Sequence, residues 1–470
     1  MKNPTKEKHD GIFNVRDYGA IGDGINNDKP AIQEAIDTAA EIAKAGNRGG
    51  VIFVPPGEYR LEQGLVIPRN ARANIPNIRI VGSGAGQAVL RSRYLPSDEP
   101  VLSFSIEASG VEHFGIENLS IVRSDIAGLV FSYPAPDNAR LRRGVFRNVE
   151  FKGPSFSGEG NDTAYDCVKI EHGHELVFDN VSIAGGKSGL NLEQCSRVTA
   201  NRLHTLMDGD CDTGVRIDGG GSMLFTDLRI EAVETSCIEL NIAKNITFIN
   251  PSFEGKRERQ YFHMKSSSGI RVVGGACPQP PWTKGGWNHK RWAAPDYPQF
   301  AVWIDNNCHD ISFDGTYFSA FEYAVSGSRS IFVESGARYI RFRDVHGTIR
   351  QQGDIEFEPE SDATLFGTRA AGNQLLRIGL PLGNAVAFGN VRVRDIDNIR
   401  ITGDHLTNLT DGHTGQVVTL IFDDNIQLQR TGNLRFAGNP SEPYQAPIGT
   451  VLRFFCDGSK WHELSRSENV

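Results

Sequence analysis

Three carboxylates open the question of chemistry. Glu193 and Asp218 close two successive strand-like segments, GLNLE and GVRID, and Glu239 lies in the next, CIEL. Glycoside hydrolysis needs one carboxylic acid to protonate the leaving oxygen and a second carboxyl to act as nucleophile or base, about 5 Å away for retention and wider for inversion. Glu193 with Asp218 could meet either spacing, and so could Asp212, in the loop before GVRI, with Glu239. These four residues are the candidate catalytic set.

Their neighbours follow from strand geometry. The apolar residues Val168/Ile170, Leu190/Leu192, Val215/Ile217, Ile238/Leu240 and Phe262/Met264 must point inward, so the residues between them point out. One outward column holds Lys169, Asn191, Arg216, Glu239 and His263; the other holds Glu171, Glu193, Asp218, Asn241 and Lys265. With strands about 4.8 Å apart and alternate residues about 6.6 Å apart, the columns form one polar surface. Glu171, Glu193 and Asp218 in one column should repel one another and raise at least one pKa, as a general acid requires. The alternative is a salt-bridged solvated face. Loops before the strands add Asp162, Asp166, Lys187, Asp210, Glu234 and Arg257–Arg259, and Lys169, Glu171, Arg216, His263, Asp210, Glu234 and Arg259 are candidate substrate contacts.

The elements that must position these residues form a repeat. Segments begin at Cys167, Gly189, Gly214, Cys237 and Tyr261, in steps of 22 to 25 residues, and each is followed by a second strand such as LVFDNVSI, SRVTANRL, MLFTDLRI or NITFINPSF. The units lack a 3.6-residue pattern and a leucine ladder, which favours a parallel β-helix of roughly nine to ten coils over helical or leucine-rich repeats. An end of such a solenoid needs closing, because its apolar cross-section and strand edge would otherwise pair with another chain. The opening supplies a cap: Asn27 or Asp28 can accept helix N–H groups, Pro30 fits the first turn, and Ile32, Ala35, Ile36, Ala39 and Ile42 recur on one face up to Gly46. The run Val51–Val54 and the turn Pro55-Pro56-Gly57 follow.

Composition agrees. The chain has 470 residues, 51 Gly and 4 Met, with a net charge of -8, which suits a turn-rich β protein and disfavours a nucleic-acid partner. Seven Cys without a C-x-x-C pair read as buried apolar residues rather than a zinc site or disulfide framework. MKNPTKEKHDG has no apolar signal region and nothing later reaches 18 apolar residues, so neither a signal peptide nor a membrane span is expected.

The opening residues Asn14-Val15-Arg16-Asp17-Tyr18-Gly19-Ala20, Gly22-Asp23-Gly24, Asp28, Ala31-Ile32-Gln33 and Val54-Pro55-Pro56-Gly57-Glu58-Tyr59 resemble the start of the pectate-lyase superfamily of right-handed β-helices. That superfamily includes polygalacturonase-like hydrolases and phage tailspike depolymerases. The resemblance covers about residues 12–350 and implies a carbohydrate substrate bound on the same outward face. The polygalacturonase motifs Asn-Thr-Asp, Asp-Asp, Gly-His-Gly and Arg-x-Lys are not reproduced; their nearest counterparts are Asn161-Asp162-Thr163, Asp210-Cys211-Asp212 and Gly173-His174. The expected fold is all-β: a right-handed single-stranded parallel β-helix over 61–370, an N-terminal cap over 1–60 and a small β-sandwich-like module over 371–470. The closing segment resembles the terminal module of phage-appendage proteins, which implies a homotrimer and an extracellular or virion-associated setting.

Other signals are smaller. Gly82-Ser83-Gly84-Ala85-Gly86 precedes no amphipathic helix and reads as a coil turn. Asp208-Gly209-Asp210-Cys211-Asp212 departs from an EF-hand at Thr213 and Gly219, which leaves a looser Ca²⁺ site open and no resident metal or cofactor expected. Trp287 and Trp292, in the Pro/Gly-rich insertion from Cys277 to Phe300, could stack on sugar rings or pin the loop. The reading is a polysaccharide depolymerase, as a glycoside hydrolase. Its alternatives are a polysaccharide lyase using Lys169, Arg216 or His263 near a uronate, a glycan transferase, and a non-catalytic glycan-binding appendage protein.

Overall fold

The computed structural model describes residues 11–467 apart from internal segments, of which 278–299, 367–384, 154–164 and 319–328 are the longest. The chain divides into two compact units, residues 1–338 with 346–361, and residues 339–345 with 362–470.

The first unit is a parallel β-helix. One sheet stacks Leu65–Ile67, Leu102–Phe104, Phe131–Tyr133, Val168–Glu171, Ser188–Glu193, Thr213–Asp218, Ser236–Asn241, Gln260–Lys265, Phe300–Ile304, Arg329–Val333 and Ile355–Phe357. Its strands run parallel without slip: Val168 pairs with Leu190, Leu190 with Val215, Val215 with Ile238 and Ile238 with Phe262. Every coil therefore sends the same positions into the core, and Val215, Ile217, Ile238, Leu240, Phe262 and Met264 are wholly buried. The register follows from the two-residue period, because a slip by one residue would turn each apolar side chain out to water.

The second sheet runs through Gly115–Arg123, Val145–Lys152, Gly173–Ala184 and Ser196–Leu206 and onward through Gly221–Thr226 and Lys244–Ile249. Aromatic rings fill the space within the coils. Phe146 stacks on Phe178 with ring centroids 4.8 Å apart, and Phe225 stacks on Phe248 at 5.1 Å. The coil corners are left-handed. Asn118, Asn148 and Asn180 occupy one such corner at φ 53°, 51° and 55°. Asn tolerates this conformation better than most residues. Here it also joins the coils: each amide Nδ2 donates to the Oδ1 of the preceding Asn at 2.9 Å. Asn250 repeats the contact to Asp227 at 2.9 Å.

The helix Lys29–Gly46 buries Ile32, Ala35, Ile36, Ala39 and Ala40. Ile42, expected on that face, is 40% exposed: it falls at the edge of the buried arc, and Ala40 completes that arc instead. Asn27 Oδ1 accepts from the N–H of Lys29 at 3.2 Å. Asp28 turns the other way, and its carboxylate accepts from the N–H groups of Ile21 at 2.6 Å and Gly22 at 3.2 Å, tying the opening hairpin to the helix start.

The second unit contains an eight-stranded mixed sheet. Asn398–Thr410 lies parallel to Ala385–Arg392 and Val417–Phe422, while Val451–Cys456 is antiparallel to Val417–Phe422 and to Trp461–Ser467. Its apolar cluster includes Ile399, Leu420, Phe454 and Trp461, whose indole N–H donates to the Leu409 carbonyl at 3.1 Å.

The described cysteines Cys167, Cys195, Cys237, Cys277, Cys308 and Cys456 are all buried and unbridged. Burial pushes the Cys195 thiol up to about 12, so it is an inert core group.

Candidate active site on the outward sheet face

Both outward columns are present in register. Lys169, Asn191, Arg216, Glu239 and His263 are successive partners, as are Glu171, Glu193, Asp218, Asn241 and Lys265. The alternation that buries the apolar residues leaves these side chains on one surface.

At one end, Lys169 Nζ lies 2.9 Å from Glu171 Oε1 and 3.1 Å from Glu193 Oε1. The column of carboxylates thus has an ammonium seated against two of its members, which offsets the repulsion expected of them. Burial disfavours the Lys169 charge, but the two carboxylate hydrogen bonds outweigh it and raise the pKa. Asn191, 4% exposed, donates through Nδ2 to Asp166 at 2.7 Å and to Glu193 at 3.1 Å.

The middle is more open. Arg216 reaches Asp218 only at 4.0 Å, and Asp218 accepts from the Asn241 amide at 2.9 Å. Glu239 accepts from Lys265 Nζ at 3.0 Å. Burial pushes the Glu239 carboxyl up, yet the Lys265 hydrogen bond and the charges of Lys265, Arg216 and His263 prevail and hold it below the usual carboxylate range. Glu239 is therefore an ionised carboxylate, largely shielded from water.

His263 is fixed at both nitrogens. Gln260 Nε2 donates to Nδ1 at 2.9 Å, which leaves the ring proton on Nε2 to face Asp305 Oδ1 at 3.2 Å. Its ring also stacks on Trp303 at 4.8 Å. This histidine is an anchored member of the face rather than a free base. Asp212 leads into the strand Thr213–Asp218, where its carbonyl accepts from the N–H groups of Thr235 and Ser236 at 2.9 Å each. Asp210, Glu234, Arg259, Trp287 and Trp292 lie outside the described residues, as does most of the suggested Ca²⁺ loop. Among the described residues no group of three or more His, Cys, Asp and Glu is placed to hold a metal ion.

Sequence reasoning missed part of the first column. Trp303 and Phe332 continue it beyond His263. Trp303 packs against Phe300 at 4.9 Å and Phe332 at 6.0 Å, and its indole N–H donates to Glu334 at 2.9 Å. The signal lay in FAVWI and RSIFV, which keep the apolar alternation, but the insertion after Cys277 breaks the 22-to-25-residue step that would have aligned them.

The opposite sheet shows what a fully ion-paired ladder looks like. There Glu117 pairs with Arg79 and lies 3.7 Å from Arg147, and Asp179 lies 3.5 Å from Arg147 and 3.2 Å from Arg202. Signs alternate along that ladder. On the candidate face they do not.

Residues 12–239 match the family described as Rhamnogalacturonase A/epimerase, pectate lyase-like. Over 204 residues the chain is 39% identical to Alginate lyase 7 of Azotobacter vinelandii, covering 38% of this chain and 23% of that enzyme. It is 30% identical over 185 residues to Mannuronan C5-epimerase AlgE3 of the same organism, covering 36% of this chain and 9% of the epimerase. The chain thus spans less than a quarter of the length of either relative. Among solved structures, DFA-IIIase of Arthrobacter chlorophenolicus A6 is similar with a TM-score of 0.55 at 15% identity, over 79% of this chain and 98% of that one. That likeness concerns the fold. Among the described residues no helix is long and apolar enough to cross a membrane.

Proposed function

Because residues 12–239 match the pectate lyase-like family of rhamnogalacturonases and epimerases, we propose that this chain is a polysaccharide-acting enzyme that cleaves a glycosidic bond by hydrolysis on the outward face of the sheet containing Thr213–Asp218 and Ser236–Asn241. The observation that supports this best is Glu239, a shielded carboxylate held ionised by Lys265 beside the more exposed Asp218. Arg216 and Glu239 are cross-strand partners, so Asp218 is displaced from Glu239 by one strand and two residues. Their Cα atoms are then about 8 Å apart, a spacing from which two outward side chains can hold their carboxyl groups far enough apart for the intervening water of an inverting enzyme. Asp218 donates a proton to the leaving oxygen as the C1–O bond breaks, while Glu239 takes a proton from the water whose oxygen bonds to C1.

Asp218→Asn and Glu239→Gln keep shape and remove the ionisable carboxyl, so each lowers turnover by roughly a hundredfold or more. Glu193→Gln and Asp212→Asn test the retaining and loop-borne alternatives. Reducing ends released from a polysaccharide panel measure the rate; full activity in all four variants removes the chemistry from this face. The similarity to an alginate lyase, together with the loosely paired Arg216, favours a second reading in which Arg216 neutralises a uronate carboxylate and the bond breaks by β-elimination. Ultraviolet absorbance of an unsaturated product identifies that course. The proposal extends to a homotrimer in an extracellular or virion-associated setting, and a monomer by light scattering at micromolar concentration overturns the trimer.

A further inference from the structure

We propose that the candidate face takes an uncharged, hydroxyl-rich glycan and rejects polyuronates, an inference that rests on this face being a glycan site. Three observations carry it. The first is charge. Among the described residues of these strands and the turns beside them, Asp166, Glu171, Glu193, Asp212, Asp218, Glu239, Asp305 and Glu334 stand against the cations Lys169, Lys187, Arg216 and Lys265. Carboxylates outnumber cations two to one, and protonation of His263 leaves the balance negative.

The second is pairing. Lys169 already faces Glu171 and Glu193, Lys265 faces Glu239, and Arg216 faces Asp218. A uronate at Lys169 or Lys265 must displace a carboxylate of the chain itself, and one at Arg216 meets the Asp218 carboxylate 4.0 Å away. Coils lie roughly 4.8 Å apart, so a polyuronate lying along the columns, with a carboxylate on every sugar, would bring further negative charge to successive coils. At that separation like charges in a half-buried setting repel well inside the screening length of physiological salt.

The third is the surplus of acceptors. Asn191 Oδ1, in the outward column, receives no hydrogen bond although its residue is only 4% exposed. Together with the carboxylate oxygens of the face it calls for donors without added negative charge. Sugar hydroxyls are such donors. The ion-paired ladder on the opposite sheet has no comparable excess, since Glu117 and Asp179 are each held between arginines.

The test is binding of the intact wild-type chain to uncharged polymers (glucans, mannans, galactans) and to alginate and polygalacturonate, by affinity electrophoresis at low and at high salt, with reducing-end release measured in parallel. The expected result is retardation by at least one uncharged polymer with little salt dependence, and no retardation by either polyuronate at low salt. Asp166→Asn with Asp305→Asn, neither of them a candidate catalytic or substrate-contact residue, then raises polyuronate affinity at least tenfold while binding of the uncharged polymer persists. Tighter binding of a polyuronate than of every uncharged polymer at low salt overturns the inference and leaves the glycan site standing. Failure of every polymer to bind or be cut overturns the glycan site, and the inference falls with it.

Discussion

Replacing Lys265 with Met isolates what keeps Glu239 ionised. The ammonium lies 3.0 Å from Glu239 Oε1, and the Glu239 side chain is 16% exposed. Methionine fills most of the same volume without charge, so burial, which already pushes this carboxyl up, meets weaker opposition from Arg216 and His263. Leaving the shielded Glu239 carboxylate without its ammonium costs about 1–2 kcal/mol, between an exposed and a buried pair, because Lys265 is over a third exposed and solvent screens it. The sign is fixed by the direction of the shift. In the native chain the depressed pKa contributes stability above the unfolded carboxyl pKa that is lost as pH falls. In Lys265→Met that contribution is reduced or reversed, so the deficit is full at pH 7 and fades below about pH 4. Urea unfolding of both proteins at pH 7 and near pH 3 reads it directly, and the acid limb of the pH–rate profile should move toward higher pH. The same substitution made in Glu239→Gln should cost much less, since no charge is left unpaired. A deficit independent of pH, or one undiminished in the Glu239→Gln background, would refute the reasoning.

Ile36 is wholly buried in the capping helix, so Ile36→Asp should cost several kcal/mol, read as a lowered melting temperature. Ile242 sits at φ 53° and is 53% exposed, so Ile242→Gly should stabilise the fold by about 1 kcal/mol through relief of a left-handed conformation that a β-branched residue adopts at a cost; a loss of stability in urea contradicts this. Arg123, 1% exposed, donates to the carbonyls of Glu99 at 2.6 Å, Leu95 at 3.1 Å and Pro96 at 2.9 Å, so Arg123→Met should cost about 3 kcal/mol and speed proteolysis near residues 95–99.

The sheet register and both outward columns were legible in the sequence because a two-residue alternation repeated at a near-constant step admits one alignment. Legibility ended where the step did. Trp303 and Phe332 follow the insertion after Cys277, and no local pattern carries the count across it. Polar pairings were also out of reach: Lys169 between Glu171 and Glu193, and Gln260 with Asp305 around His263, depend on side-chain conformations that periodicity does not encode. Ile42 shows the limit on the helix, where apolar spacing located the buried arc but not its edge.

The asparagine corner bears on how such a chain diversifies. Asn118, Asn148, Asn180, Arg202, Asp227 and Asn250 turn the chain at the same place in successive coils, yet they lie 22 to 32 residues apart. Coil length and corner position are thus decoupled. Insertions can accumulate in the loops while the stack keeps its registration, which makes those loops natural sites for grafted libraries and for evolutionary trial of new specificities without refolding the scaffold.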